Sequence, residues 1–490
     1  MIWSRYNTLF HSARFGYFLY NALSNTLLEL NTAYHNVAEN LRLDPNYREA
    51  GDETFVAMLR EYKVLVEEGD ENRHLLARQY RRHAICFDTL RLGLTICPTL
   101  GCNFRCPYCF ERSQQDSTIM APATIVRLID FIKSFKEIRH LSIAWYGGEP
   151  LLAFHVIRDL TQRIEALALG FEGAGIVTNG YLLNNEKIAQ LNDLKINSVQ
   201  ITLDGPQQVH DRRRLLAGGG PTFQHILRNI DALMDSSYTG TCTIRVNIDR
   251  DNRACFTELG AFLRDRFKGK KLFIYADHVD TSLGHPYDHA CCLGLQEWTD
   301  FTFDEYHRGS LMPTGGFYPA GNLDSICVAN THRSFVLGPY GELYKCWADV
   351  GQPELVVGNI HNEEPITNTE LRAEYYTGTD PYNDPECRKC SVLPICGGGC
   401  ANKRLRAKQF GEKGLEFCSP YKESLISFLE AYIDTFRSRE ICATILNPGP
   451  AKQDFTGFRV ISPRRNADSR DIPTPAAFRP ESLIPHEFIQ

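Results

Sequence analysis

Three cysteines, Cys102, Cys106 and Cys109, stand as C-NFR-C-PY-C within eight residues. A zinc site usually draws four ligands, often as two separated pairs. A compact trio instead supplies three corners of a [4Fe–4S] cluster and leaves one iron open to a substrate or cofactor. A second series begins at Cys327 and continues through GELYKC, ending at Cys346. It runs on through C-RK-C-SVLPI-C-GGG-C (Cys387, Cys390, Cys396, Cys400) to Cys418. Seven thiols in this order are too many for one mononuclear site, and the plain alternative for the CxxC pairs is zinc held by four cysteines. Cys291 and Cys292 read as small buried hydrophobes or as ligands reaching in from upstream, whereas Cys86, Cys97, Cys242, Cys255 and Cys442 fit no ligand spacing.

The elements that must position these thiols are visible as an alternation. Strand candidates are LRLGLTIC (90–97), LSIAWYGG (141–148), AGIVTNG (174–180), SVQITLDG (198–205), TCTIRVNID (241–249) and LFIYADHV (272–279). Helix candidates such as TIVRLIDFIKSF (124–135) and HVIRDLTQRIEALAL (155–169) lie between them, with apolar residues recurring at three and four. Six strands separated in this way read as an α/β parallel barrel or open sheet, whose functional groups belong at the carboxyl ends of the strands. There the sequence is unusual: CNFRCPYC follows the first strand, GGEP ends the second, TNG the third and DGP the fourth.

Four blocks follow from the pattern: an α+β unit at 1–89, the barrel at 90–285, a cysteine-rich region at 286–446 and a tail at 447–490. In the first block FGYFLYNALSNTLLEL reads as two strands joined by a polar turn, and AYHNVAENL, ETFVAMLREY and RHLLARQYRRH read as helices. In the third, periodicity fades while Cys, Gly and Pro accumulate, as in a fold held by metal more than by a layered core. The tail carries seven prolines in 44 residues and reads as poorly ordered or draped over the surface.

With 490 residues, 43% hydrophobic, 23% charged and a net charge of −6, the chain has the composition of an ordinary enzyme and no electrostatic case for nucleic acid or an anionic membrane. It shows neither a signal peptide nor an apolar run of the roughly 18 residues a membrane span needs. A cytoplasmic location is expected. In that reducing compartment 17 cysteines, an odd number, point to metal ligation more than to disulfides.

CxxxCxxC after the first strand of such a barrel resembles the radical S-adenosylmethionine (SAM) enzymes. The likeness covers roughly residues 90–280. It implies a partial (β/α)6 barrel whose open iron chelates the amino and carboxylate groups of SAM. Gly147, Gly148 and Glu149 match the family's GGE motif, which receives the SAM ammonium group. Tyr108 matches the aromatic position beside the adenine, and the main chain of Phe110 would meet the adenine edge. Thr178, Asn179, Asp204 and Gly205 fall at positions near the ribose and methionine portions. Arg214 is the candidate for the SAM carboxylate, with Arg212 and Arg213 as neighbouring alternatives. In this family the reduced cluster cleaves SAM to a 5′-deoxyadenosyl radical, which abstracts hydrogen from the substrate. A flavodoxin or ferredoxin would supply the electron.

The spacing C-x13-G-x4-C, C-x2-C-x5-C-x3-C, then C resembles the SPASM domain of radical SAM enzymes. The resemblance implies two auxiliary [4Fe–4S] clusters, one on Cys387, Cys390, Cys396 and Cys418, the other on Cys327, Cys346 and Cys400. The second set lacks a fourth protein ligand, which leaves Cys291, Cys292 or a substrate thiolate. SPASM enzymes act mostly on peptides or proteins, so a precursor peptide or protein is the expected partner. Among them, sulfatase maturases, which make formylglycine, carry an Asp base directly after the GX4C cysteine. Here Trp347 holds that position and Asp349 stands two residues on as a weaker candidate base. That departure favours a maturase forming thioether or carbon–carbon crosslinks. The 1–89 block resembles the small winged-helix element that captures leader peptides by sheet-edge addition. Outside these readings lie a structural cap for that block and, for the whole chain, an iron–sulfur redox or regulatory protein without SAM chemistry.

Overall fold

A computed structural model describes residues 1–47, 52–111, 116–279, 291–311, 317–319, 326–446 and 457–463, with backbone alone from 439 to 446. The expected boundary at 285/286, the side chain of Cys442 and most of the 447–490 tail lie outside the described residues.

The N-terminal unit opens with β1 (Ile2–Trp3), β2 (Asn7–Ser12), β3 (Gly16–Asn21) and β4 (Thr26–Leu30). Helices α1 (Thr32–Leu43) and α2 (Glu53–Glu61), strand β5 (Leu65–Val66) and helix α3 (Asp70–Cys86) follow. Strands β2, β3 and β4 form an antiparallel meander, and β1 pairs separately with β5. Asn31 caps α1 by accepting the Tyr34 amide, where the chain leaves β4. Arg78 of α3 donates to the carbonyls of Leu23 and Pro394, clamping this unit onto the C-terminal region.

Six parallel strands follow. They are β6 (Arg91–Ile96), β7 (His140–Trp145), β8 (Phe171–Thr178), β9 (Ile196–Thr202), β10 (Thr241–Ile248) and β11 (Leu272–His278). Helices α4 (Pro122–Ser134), α5 (Phe154–Glu165), α6 (Asn185–Ile188), α7 (Gln207–Arg213), α8 (Phe223–Asp235) and α9 (Phe256–Arg266) lie between them. Their buried faces keep the helical spacing, as in Ile226, Leu227, Ile230 and Leu233 of α8. The six strands lie in chain order, so the α/β reading holds within one or a few residues at each strand.

The cysteine-rich region is more layered than its sequence suggests. After α10 (Leu295–His307), β12 (Ser334–Leu337), β13 (Glu342–Tyr344) and β14 (Gly358–Asn359) extend the main sheet beyond β6. β12 runs parallel to β6, with Ser334 opposite Gly93 and Leu337 opposite Ile96. Four short helices come next, α11 (Thr369–Ala373), α12 (Pro385–Lys389), α13 (Leu393–Cys396) and α14 (Ala401–Gln409), and then α15 (Tyr421–Leu446). Within the region read as a tail, β15 (Phe458–Val460) pairs antiparallel with β4, so part of that tail is a strand of the N-terminal sheet. Three short runs of low periodicity concealed the hairpin, because its apolar residues are buried by β6 and not by a repeat of their own. No helix among the described residues is long and apolar enough to cross a membrane.

Leu343 is fully buried between β12 and β14. Leu343→Ala is expected to destabilise the fold by about 2–5 kcal/mol in denaturant unfolding, with loss of iron bound near Cys346 as a secondary readout.

Candidate active site

Strand β6 delivers the chain into the loop that carries Cys102, Cys106 and Cys109. Two neighbouring segments grip that loop. The Gly148 amide donates to the Thr99 carbonyl at 3.2 Å and the Glu149 amide to the Gly101 carbonyl at 2.8 Å. A Cβ on Gly147 would lie 2.5 Å from the Thr99 oxygen and one on Gly148 2.4 Å from the Gly101 oxygen, so only glycine permits this approach. On the other side Arg105 N–H donates to the Leu215 carbonyl and Ala217 N–H to the Asn103 carbonyl.

The expected cofactor-contacting residues converge around these cysteines in two buried networks. In the first, Glu149 is fully buried; its Oε1 accepts from Thr178 Oγ1 at 2.7 Å and Leu151 N at 3.0 Å, its Oε2 from Asn179 N at 2.7 Å. This carboxylate ties the end of β7 to the end of β8. Asn179 passes the order on, with Nδ2 on Asn103 Oδ1 at 2.7 Å. In the second, the Tyr108 hydroxyl donates to Asp204 Oδ2 and accepts from Arg214 Nη1 at 2.6 Å and Asn247 Nδ2 at 3.2 Å. Asp204 also accepts the Asn247 amide. Gly205 continues the turn after it, and Phe110 follows Cys109 half-buried.

The three arginines separate cleanly. Arg212 is exposed, and Arg213 is held by Asp249 at 2.7 Å beside the Tyr108 ring. Arg214 is buried with an unpartnered Nε. His210 explains how that segment is held: the Asp204 amide donates to its Nδ1, so the proton sits on Nε2 facing Thr222 Oγ1, whose own hydrogen goes to the Arg214 carbonyl. Burial pushes the His210 pKa well down, and the nearby Arg214 and Arg213 reinforce this, keeping the ring neutral.

Burial also governs the thiols. It lifts Cys102 to about 12, with Glu149 adding to the push, and it lifts Cys106. These sites therefore hold thiols until a cation displaces the protons. Three thiols, a backbone cradle and an orphaned guanidinium nitrogen fit an iron–sulfur cluster carrying an anionic ligand.

In the C-terminal region the two expected sets of thiols are also drawn together. Burial raises the Cys346 pKa far above the usual value, and Asp349, Cys327 and Cys400 raise it further as neighbours. Cys396 is raised by burial and then by Cys418 and Cys390, and Cys387 has Cys396 among its neighbours. Gly397, Gly398 and Gly399 all take positive φ (64, 102 and 69°), which turns the chain sharply enough for Cys396 and Cys400 to face different sets. Among the described residues no three His, Cys, Asp or Glu converge as one metal ion requires. A four-iron cluster is a larger body that its thiols surround. Cys291 and Cys292 lie beside the Arg250–Glu297 ion pair at the end of β10.

Several contacts escaped the sequence reading, among them the partner of Trp347. Arg404 is buried, with Nη2 3.2 Å from Cys387 Sγ and Nη1 2.7 Å from Asp384, a cation placed against a thiol that would carry negative charge. Tyr146 and Trp347 stack at 5.6 Å, joining the end of β7 to the residue after Cys346. Arg245 pairs with Asp277 at 2.8 Å on the face of β10 that also presents Asn247. Glu111 is buried with Oε1 unpartnered, and burial lifts its pKa to about 8. Only strand alternation could have flagged Arg245; the others depend on contacts between distant segments.

Tyr108→Phe removes the shared hydroxyl and leaves Asp204 and Arg214 short of a partner. It is expected to destabilise the chain by about 1–3 kcal/mol in denaturant unfolding.

Residues 96–263 match the family model described as the radical SAM superfamily. The chain is 23% identical over 384 residues to a serine-type anaerobic sulfatase-maturating enzyme of Bacteroides thetaiotaomicron, covering 69% of this chain and 89% of that protein. It is 24% identical over 362 residues to a cysteine-type anaerobic sulfatase-maturating enzyme of Clostridium perfringens, covering 68% and 95%. The fold is similar to that of native anSMEcpe with bound AdoMet and Kp18Cys peptide, with a TM-score of 0.57 at 23% identity, covering 70% of this chain and 98% of that one. Three cysteines after the first strand of a parallel sheet, a GGE turn locked against them and these relatives agree: the chain is an enzyme with a radical SAM domain, homologous to the anaerobic sulfatase-maturating enzymes.

Proposed function

We propose that this enzyme is a peptide or protein maturase that uses SAM-derived radical chemistry to form a thioether or carbon–carbon crosslink. Its relatives are named for maturing a protein, which supports a peptide substrate. The observation that carries the crosslinking reading is the Trp347–Tyr146 stack. An aromatic pair occupies the position where a sulfatase maturase carries its carboxylate base. Asp349 does not take over that position. It is fully buried, and its oxygens accept from Tyr375 Oη at 2.7 Å, Asn402 Nδ2 at 2.6 Å and the Cys346 amide at 3.2 Å. Burial lifts its pKa to about 7.

When bound, the cluster on Cys102, Cys106 and Cys109 and its SAM ligand supply the 5′-deoxyadenosyl radical. Gly147, Gly148 and Glu149, the last held by Thr178 and Asn179, would receive the SAM ammonium group, Tyr108 and Phe110 would meet the adenine, and Thr178, Asn179, Asp204 and Gly205 would serve the ribose and methionine portions. Arg214 offers its free Nε to the SAM carboxylate. Cys387, Cys390, Cys396 and Cys418 hold one auxiliary [4Fe–4S] cluster, while Cys327, Cys346 and Cys400 hold three corners of another. The enzyme works in the cytoplasm with a flavodoxin or ferredoxin as electron donor.

Cys106→Ala is expected to abolish 5′-deoxyadenosine formation in anaerobic assays with SAM and dithionite. Arg214→Met should weaken SAM binding about 10- to 100-fold by calorimetry, while Arg212→Met leaves it unchanged. Reconstituted wild type should contain about twelve irons per chain, and Cys390→Ala about eight. The reaction itself is decided by turnover with a short peptide encoded beside the gene. A two-hydrogen mass loss with no reactivity toward a hydrazide probe supports a crosslink, and a hydrazide-reactive aldehyde establishes formylglycine formation instead.

A further inference from the structure

Cys400 closes the run C-GGG-C, and α14 begins with the next residue, so Arg404 stands one helical turn beyond that cysteine. Its amide donates to the Cys400 carbonyl at 3.0 Å. Its side chain crosses to the other set of thiols. Nε and Nη2 donate to the Gly398 carbonyl at 3.2 and 2.8 Å, Nη1 donates to Asp384 Oδ2 at 2.7 Å, and Nη2 also meets Cys387 Sγ at 3.2 Å. The guanidinium lies 4.7 Å from the centre of the Phe417 ring, and the residue is 2% exposed.

The contact with sulfur is more than holding the backbone requires. Asp384 caps α12 by accepting the Glu386 and Cys387 amides, and Lys408, one turn further along α14, also reaches its Oδ2. The carboxylate therefore has a second cation, and Arg404, Lys408 and Asp384 together leave a net positive charge beside Cys387. Lys422 approaches Cys418 Sγ at 3.9 Å, but from an exposed position where water and salt screen its charge. Arg404 is the cation that faces a sulfur from inside the protein, where its field is screened far less.

An iron–sulfur cluster in its reduced form carries one electron more than in its oxidised form and has gained no proton. A fixed positive charge and an N–H donated to a ligand sulfur both favour the more negative form, so both raise the reduction potential. The guanidinium supplies the two together, and its bonds to Gly398 and Asp384 fix the direction in which that N–H points.

We propose that Arg404 sets the reduction potential of the auxiliary cluster on Cys387, Cys390, Cys396 and Cys418, holding it higher than ligation by four cysteines alone would. The proposal rests on the assignment of that cluster under the proposed function and is independent of which bond the enzyme forms. Asp384 acts through Arg404: it orients the guanidinium and offsets part of its charge.

The test is an anaerobic redox titration of the reconstituted full-length chain with dithionite, followed by electron paramagnetic resonance. The signal that Cys390→Ala lacks belongs to this cluster. Loss of one charge-assisted hydrogen bond should change the ratio of reduced to oxidised cluster about 10-fold at a given potential, so Arg404→Gln should lower the midpoint by about 59 mV for one electron. An Arg404→Gln chain that holds about twelve irons and titrates at the wild-type midpoint or above it overturns the proposal. Should that variant lose the cluster, Asp384→Asn decides, because asparagine caps a helix as well as aspartate does while removing the charge that opposes Arg404. A raised midpoint supports the proposal, and an unchanged or lowered one overturns it. A purely structural clamp would cost iron content or melting temperature without moving the two midpoints in opposite directions. Wild type with no signal that depends on Cys390 overturns the cluster assignment and the proposal together, whereas failure to make 5′-deoxyadenosine counts against the maturase reading alone.

Discussion

The parallel pairing of β6 with β7 on one side and β12 on the other is the constraint on which the rest of the molecule depends. The end of β6 throws out the loop bearing Cys102, Cys106 and Cys109, and β7 ends in the GGE turn that seats against that loop. On the other side β12 fixes β13, and β13 ends one residue before Lys345 and two before Cys346. A shift of one residue in either pairing would turn every side chain to the opposite face and carry one set of thiols away from the other. The close fit of Gly93 against Ser334, where an added Cβ would lie 2.9 Å from the serine oxygen, belongs to this register.

Around that frame the chain buries more charge than a stable core needs. Glu149, Asp204, Asp249, Arg213 and Arg214 are almost wholly removed from water, and each is tied into a hydrogen-bond network. Such groups contribute little net stability, because desolvation offsets their attraction. What they confer is a fixed geometry in a water-poor pocket, which a site handling a reactive species requires. Lys345 does similar work beside Cys346. Its ammonium donates to the carbonyls of Thr331 and Ser334 and lies over the rings of Phe335 and Tyr376, pinning the hairpin end.

The parts legible in the sequence were those with a short period or a fixed spacing. Strand and helix candidates from 90 to 279 fall within one or a few residues of the observed elements, since buried parallel strands read as continuous apolar runs. The hairpin β12–β13 and strand β15 did not stand out, because a few residues burying their side chains against distant strands leave no local repeat. The arginine run offered Arg214 first, with Arg212 and Arg213 as neighbouring alternatives. Only packing put Arg212 in solvent, Arg213 on Asp249 and Arg214 beside Tyr108.

By itself the sequence determined the chemistry available to this protein. The spacing of its cysteines, the GGE turn and the alternation of strands with helices are covalent or near-neighbour properties that survive without knowledge of the fold. Only the tertiary structure decided which groups meet. It stacked Trp347 on Tyr146, enclosed Asp349 among Tyr375, Asn402 and the Cys346 amide, set Arg404 against Cys387 and laid β15 along β4. Most of these contacts join residues tens to hundreds of positions apart, and all of them exist because burying apolar surface brings separate segments together.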